Sequence, residues 1–140
     1  MTALEKMRDF LESYPEYAQI SRLDIDFTDN VPNAAGLFPS GLVEVRRERD
    51  ILGDVTVTNQ YNFALYTTFE KYEGAEENAE WEIGLQEWVQ EQSARRLAPT
   101  FGDTPWTESI RAQNGQLFSV DDEGTALYVM QINATFQKRY

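Results

Sequence analysis

Asp24 and Asp26 stand two residues apart where Leu23, Ile25 and Phe27 alternate with polar neighbours. A strand there would aim both carboxylates to one side. Paired carboxylates of this kind are what a divalent cation in a hydrolase requires, and Asp29 or Asp50 could join them. The same alternation is what any half-exposed strand shows, and no spacing supplies the remaining ligands. The acidic run Asp121-Asp122-Glu123-Gly124 lacks the spaced oxygens of a calcium loop and reads as a turn. Gly36-Leu37-Phe38-Pro39-Ser40-Gly41 has glycines but neither the lysine nor the spacing of a phosphate cradle. Arg46, Arg47 and Arg49 form the basic cluster, and they meet either phosphate or acid, on this chain or on a neighbour.

What is missing narrows the chemistry further. The 140 residues contain no histidine and no cysteine. That removes the usual proton shuttle and commonest metal ligand, thiolate chemistry and disulfides, and with them serine or cysteine triads of the ordinary kind. The expectation is a protein that is not an enzyme, with no catalytic residue, metal or cofactor. Twelve basic residues against 24 acidic ones give a net charge of −12, which opposes stable binding of nucleic acid through the surface as a whole. Residues 70–91 carry eight glutamates against Lys71. Such a run is either a solvated helix face or a repulsive lining for a channel that nucleic acid crosses without sticking. Apolar runs are too short for a membrane span. The start, Met1 to Lys6, lacks the layout of a signal peptide, and a cytosolic address is expected.

The elements that would hold these residues follow from periodicity. Thr2 and Glu5 have capping-box spacing, and Leu4, Met7, Leu11 and Tyr14 then form one stripe that Pro15 ends. Residues 22–28 read as a strand, and turn formers make 29–40 a loop in which Leu37 and Phe38 anchor to the domain or to a neighbour. A strand from Leu42 to Arg49, a turn at Asp50-Ile51-Leu52-Gly53 and a second strand from Val55 to Phe69 make a hairpin. At about 3.3 Å per residue the second strand reaches roughly 50 Å, beyond the usual length. Such a hairpin either bends inside the domain or projects and needs a partner to cover its edges. A helix over 77–96 has the stripe Trp81, Leu85, Trp88 and Val89, ending at Arg95 and Arg96, which suit its dipole. Residues 99–115 read as mostly irregular, followed by strands at Leu117–Val120 and Thr125–Phe136. The order α-β-β-β-α-β-β predicts one α+β domain over 1–140, two helices packed on an antiparallel or mixed sheet with one long β-hairpin.

The stretches Gly36-Leu37-Phe38-Pro39-Ser40-Gly41, Asp50-Ile51-Leu52-Gly53 and Tyr61-Asn62-Phe63-Ala64-Leu65-Tyr66 resemble small proteins of tailed phages and prophages of Firmicutes, of the tail terminator-like or minor capsid kind. Trp88-Val89-Gln90-Glu91-Gln92-Ser93 and Leu97-Ala98-Pro99-Thr100-Phe101-Gly102 extend the resemblance over nearly the whole chain. These are packing and turn residues, not chemical motifs. The resemblance implies a virion structural protein in a homo-oligomeric ring, a hexamer in that family. Such a ring caps the tail tube, ends tube polymerisation and joins the head connector. Its implied partners are itself, the tail-tube protein and a head-completion protein, in the host cytoplasm during assembly and then in the virion tail. A neck or head-completion adaptor is the nearby alternative, and a carboxylate-metal hydrolase built on Asp24 and Asp26 the remote one. Leu37, Phe38, Arg46, Arg47, Arg49, Ile51 and Leu52 are the candidate self-association residues.

Overall fold

A computed structural model describes residues 1–16, 23–25, 34–70, 75–122 and 124–140, with backbone alone at 23–25, 70 and 75. The elements in chain order are α1 (Ala3–Glu12), β1 (Leu23–Ile25), β2 (Ala34–Arg49), β3 (Val55–Glu70), α2 (Ala75–Ala94), a 3-10 turn at Pro105–Thr107, β4 (Ser109–Val120) and β5 (Thr125–Arg139). The chain is therefore α+β, as the periodicity predicts, and its sheet is mixed, in the order β1-β2-β3-β5-β4 with β1 parallel to β2.

Local chemistry explains the helices. The Thr2 hydroxyl accepts from the Glu5 N–H while the Glu5 carboxylate accepts from the Thr2 N–H, each at 3.2 Å, closing the capping box. Met7, Phe10, Leu11 and, just past the helix, Tyr14 are buried. They meet the stripe of α2: Phe10 stacks on Trp88 at 4.9 Å between ring centroids, and Tyr14 meets Trp81 edge-on at 5.5 Å. The Trp81 indole N–H donates to the Glu16 carbonyl, which settles the one polar atom this ring brings inside. Both helices cover one face of the sheet, against Phe63, Leu65 and Phe69 of β3 and Met130, Ile132 and Ala134 of β5.

The long hairpin is real, but it does not stand alone. β2 and β3 each have 16 residues, and β5 runs beside β3 from Thr56↔Arg139 to Glu70↔Thr125. The turn end is tied as well, by Val55 and Tyr140 exchanging backbone hydrogen bonds. Of the two readings of an over-length hairpin, neither holds in full: β3 is an interior strand, and only the outer edge of β2 is left open. Beyond Leu37, where β1 stops, no strand lies beside β2 among the described residues.

Two expected loops are strand instead. Residues 34–40 belong to β2, with Pro39 tolerated because an edge strand can spare an N–H, and bulges at Pro39/Gly41 and Glu44/Arg46 absorb the irregularity. Residues 109–115 belong to β4, where Asn114-Gly115 makes a register shift rather than a turn. The expected loop 29–33 and the flanks of the first strand, Arg22 and 26–28, lie outside the described residues.

Candidate self-association surface

The tip of the hairpin is stiffly built. The Asp50 carboxylate accepts from the Leu52 N–H at 2.9 Å and from the Asp54 N–H at 3.0 Å, while its backbone exchanges bonds with Gly53 and Asp54. Gly53 sits at φ +91°, a conformation that side chains resist. The turn so fixed holds Ile51 fully in solvent and Leu52 83% exposed. Along the open edge behind them, Leu42, Val43 and Val45 are exposed too. A rigid turn that displays two large aliphatic side chains, with three more exposed along the strand behind it, is the kind of feature that marks an interaction surface.

The other sequence-predicted residues divide. Leu37 is fully buried in the chain's own core, so no neighbour can reach it. Phe38, the next residue along a strand, points to the opposite face, half-buried and edge-on to Tyr66 at 5.0 Å. Arg47 pairs with Glu44 at 2.7 Å and Arg46 with Glu48, so these two meet acid on their own strand. All four side chains are exposed, and such pairs contribute at most about 1 kcal/mol. Arg49 is exposed beside Val55. Asp24 lies in β1, Asp26 and Asp29 lie outside the described residues, and Asp50 is the turn acceptor already described. Among the described residues no cluster of three acidic side chains is arranged to hold a metal ion.

The sheet's two edges are treated differently. On β4 the outward Ile110 N–H donates to the Ser93 hydroxyl at 3.0 Å, and the Gly115 N–H donates to the Gln86 side chain at 3.1 Å. Polar residues of α2 therefore occupy the edge that a further strand would need. On β2 beyond Leu37 no such bond is made among the described residues.

A second apolar feature lies on the far side of β5, and periodicity could not have found it. Residues 97–108 are irregular, yet closely held. Glu108 accepts from the Phe101 N–H at 2.6 Å and the Gly102 N–H at 3.0 Å. The Asp103 N–H donates to the Gln137 carbonyl, and the Arg139 N–H to the Asp103 carboxylate, both at 2.8 Å. A Cβ on Gly102 would stand 2.2 Å from the Gln137 carbonyl oxygen, so only glycine permits this approach. The segment frames a cavity of about 240 Å³ lined by Arg96, Ala98, Pro99, Pro105, Trp106 and Ile110 among others. Trp106 in this lining and Leu97, the chain neighbour of Arg96, are both more than 60% exposed. Arg96 ends α2 in the left-handed region at φ 58°, within a Schellman motif: its N–H reaches the Ser93 carbonyl, and the Leu97 N–H reaches that of Gln92. Glycine is usual there, and a side chain costs about 1–2 kcal/mol.

Within the acidic stretch, Glu76, Glu77, Glu80, Glu87 and Glu91 are exposed, the pattern of a solvated helix face. Glu82 departs from it, only 2% exposed and accepting a hydrogen bond from the Thr67 hydroxyl. Burial pushes its carboxyl up to about 7 against the pull of that bond. No helix among the described residues is long and apolar enough to cross a membrane.

No known family profile and no curated protein matches this chain. Eighteen chains of solved structure do. One of them, whose designation names no role, aligns over 96% of this chain and 96% of its own, at 10% identity and a TM-score of 0.49, a likeness that carries no functional argument.

Proposed function

We propose that this chain is a structural subunit of a phage or prophage tail, which associates with copies of itself in a ring that caps the tail tube and joins it to the head. It acts by packing and without catalysis. The observation that supports this reading is the 40–54 segment: an open sheet edge that ends in a rigid turn with Ile51 and Leu52 in solvent. A chain with 24 acidic residues has ample means to make such a turn polar, and here it displays two of the largest aliphatic side chains. The resemblance to tail terminators supplies the assembly, and the charge of −12 suits a ring whose opening lets DNA pass without holding it.

Electron microscopy of the purified chain, alone and mixed with tail tubes, tests this together with light scattering after size exclusion. The expected result is closed rings and tubes that stop growing when capped. A strict monomer at high concentration with tubes present would overturn it. Particles bound only at the head side would make the chain a neck adaptor instead.

A further inference from the structure

The hairpin tip and the cavity beside Trp106 lie on opposite sides of β5 at one end of the sheet. β3, which leads out of the tip, flanks β5 through Thr56↔Arg139 and Thr58↔Gln137. The segment that frames the cavity grips the same two β5 residues, Gln137 and Arg139, through Asp103. The two features also carry charged groups that could match. Asp50 and Asp54 stand at the tip beside Arg49. Arg96 stands at the cavity beside Glu108, whose carboxylate is turned to the Phe101 and Gly102 N–H groups. The tip sets Ile51 and Leu52 between the carboxylates of Asp50 and Asp54, with no cation paired to either among the described residues. The cavity sets Trp106, Pro99 and Pro105 beside the guanidinium of Arg96, which has no ion-pair partner among the described residues, whereas Arg95 is paired with Glu91 at 3.0 Å.

We propose that the tip of one copy seats in the Trp106 cavity of the next copy, with Ile51 and Leu52 against the indole and the two prolines and Arg96 facing Asp50 and Asp54. This rests on the ring-forming reading and names the two surfaces that would meet. A knob on one surface and a socket on another make a heterologous contact, and when its rotation closes, the product is a ring. Tryptophan and arginine are the residues in which binding energy concentrates at protein interfaces. Both features are held by hydrogen bonds before they meet, so little ordering is needed on contact. The contact also accounts for Arg96: a side chain kept where glycine fits the backbone better has a use elsewhere. Strand addition round a ring would need β2 of one copy to meet β4 of the next, and α2 already occupies the β4 edge.

The natural chain has no cysteine, so single introduced thiols report on contact without background. Leu52→Cys and Thr100→Cys chains, mixed and oxidised, should give mainly the mixed disulfide, because Thr100 lines the cavity and is exposed, and each thiol then meets its counterpart on the next copy. Arg96→Gly should melt at the same temperature as the natural chain or higher, yet assemble at least tenfold more weakly. Asp54→Arg should weaken assembly to a similar degree, and Asp54→Arg combined with Arg96→Asp should restore it. Rings that persist in Arg96→Gly, or a Leu52→Cys disulfide formed mainly with itself, would overturn the tip-in-socket contact and leave the ring standing. A chain that remains monomeric and gives no disulfide in any mixture would overturn both.

Discussion

Replacing Glu82 with glutamine should remove a pH dependence that the fold imposes on itself. Glu82 sits on α2 beneath the helix layer, accepts from Thr67 of β3, and lies close enough to Tyr14 and Tyr128 that its charge raises the phenol of each, after burial in both cases. Burial holds its carboxyl protonated up to about 7, against an ordinary 4.5. Between those two values the unfolded chain has released a proton that the folded chain keeps, so stability falls as pH rises. The contribution is fully present below pH 4.5 and is lost once pH passes about 7. At about 1.4 kcal/mol per pH unit, the gap of roughly 2.5 comes to about 3 kcal/mol. Glutamine has nearly the same shape, still accepts from Thr67 and does not titrate. Urea unfolding of both chains from pH 4.5 to 8 isolates the site, because every other ionisable group cancels in the difference. Glu82→Gln should match the natural chain near pH 4.5 and exceed it by about 3 kcal/mol at pH 8. A difference that stays constant across this range would refute the argument, and with it the placement of Glu82 inside a water-free layer.

Leu37→Ala should lower unfolding free energy by about 2–5 kcal/mol in urea, as for any fully buried leucine, rather than act on association alone. The double change Ile51→Ser, Leu52→Ser should leave that free energy within about 0.5 kcal/mol per site, since both side chains are in solvent, while sedimentation detects weaker self-association. Gly102→Ala should destabilise by about 1–3 kcal/mol and speed amide exchange at Asp103 and Arg139, because the added methyl drives the segment off β5. Glu44→Gln should change stability by less than about 1 kcal/mol, with any effect vanishing in high salt, as fits an exposed pair with Arg47.

The helices and the two central strands were legible because each obeys one rule over its whole length. Thr2 and Glu5 mark a start, and the 3.6-residue stripe through Trp81, Leu85 and Val89 marks a face. The alternation of Phe63, Leu65 and Phe69 marks a strand with one side in the core. The edge strands are hidden by their bulges. Gly36, Pro39 and Gly41 in β2, and Asn114-Gly115 in β4, are the residues that also make turns, and only the neighbouring strand decides between bulge and turn. Leu37 and Phe38 are adjacent in sequence, but within a strand adjacent side chains face opposite ways, which sends one to the core and the other out. Ile51 and Leu52 stood out as aliphatic residues in a polar turn. The Trp106 cavity gave no such signal, since Arg96, Pro99, Pro105 and Trp106 come together through bonds from Asp103 and Glu108 that no local period encodes. Glu82 lies within an acidic run, and its place in the α2 helix period, one residue from Trp81, is the sign that sets it apart.

The unequal treatment of the sheet's borders bears on how this protein behaves when it is made in quantity. Amyloid-like growth needs every added molecule to offer a fresh template, so that each joining event creates the next acceptor. Among the described residues a molecule has one receptive border, kinked twice by extra residues, and one at which its own helix takes up strand N–H groups. Two molecules that met border to border would use up both receptive sides and leave only closed ones outward, so the stack would end at a pair. The chain should therefore stay free of fibres even at high concentration.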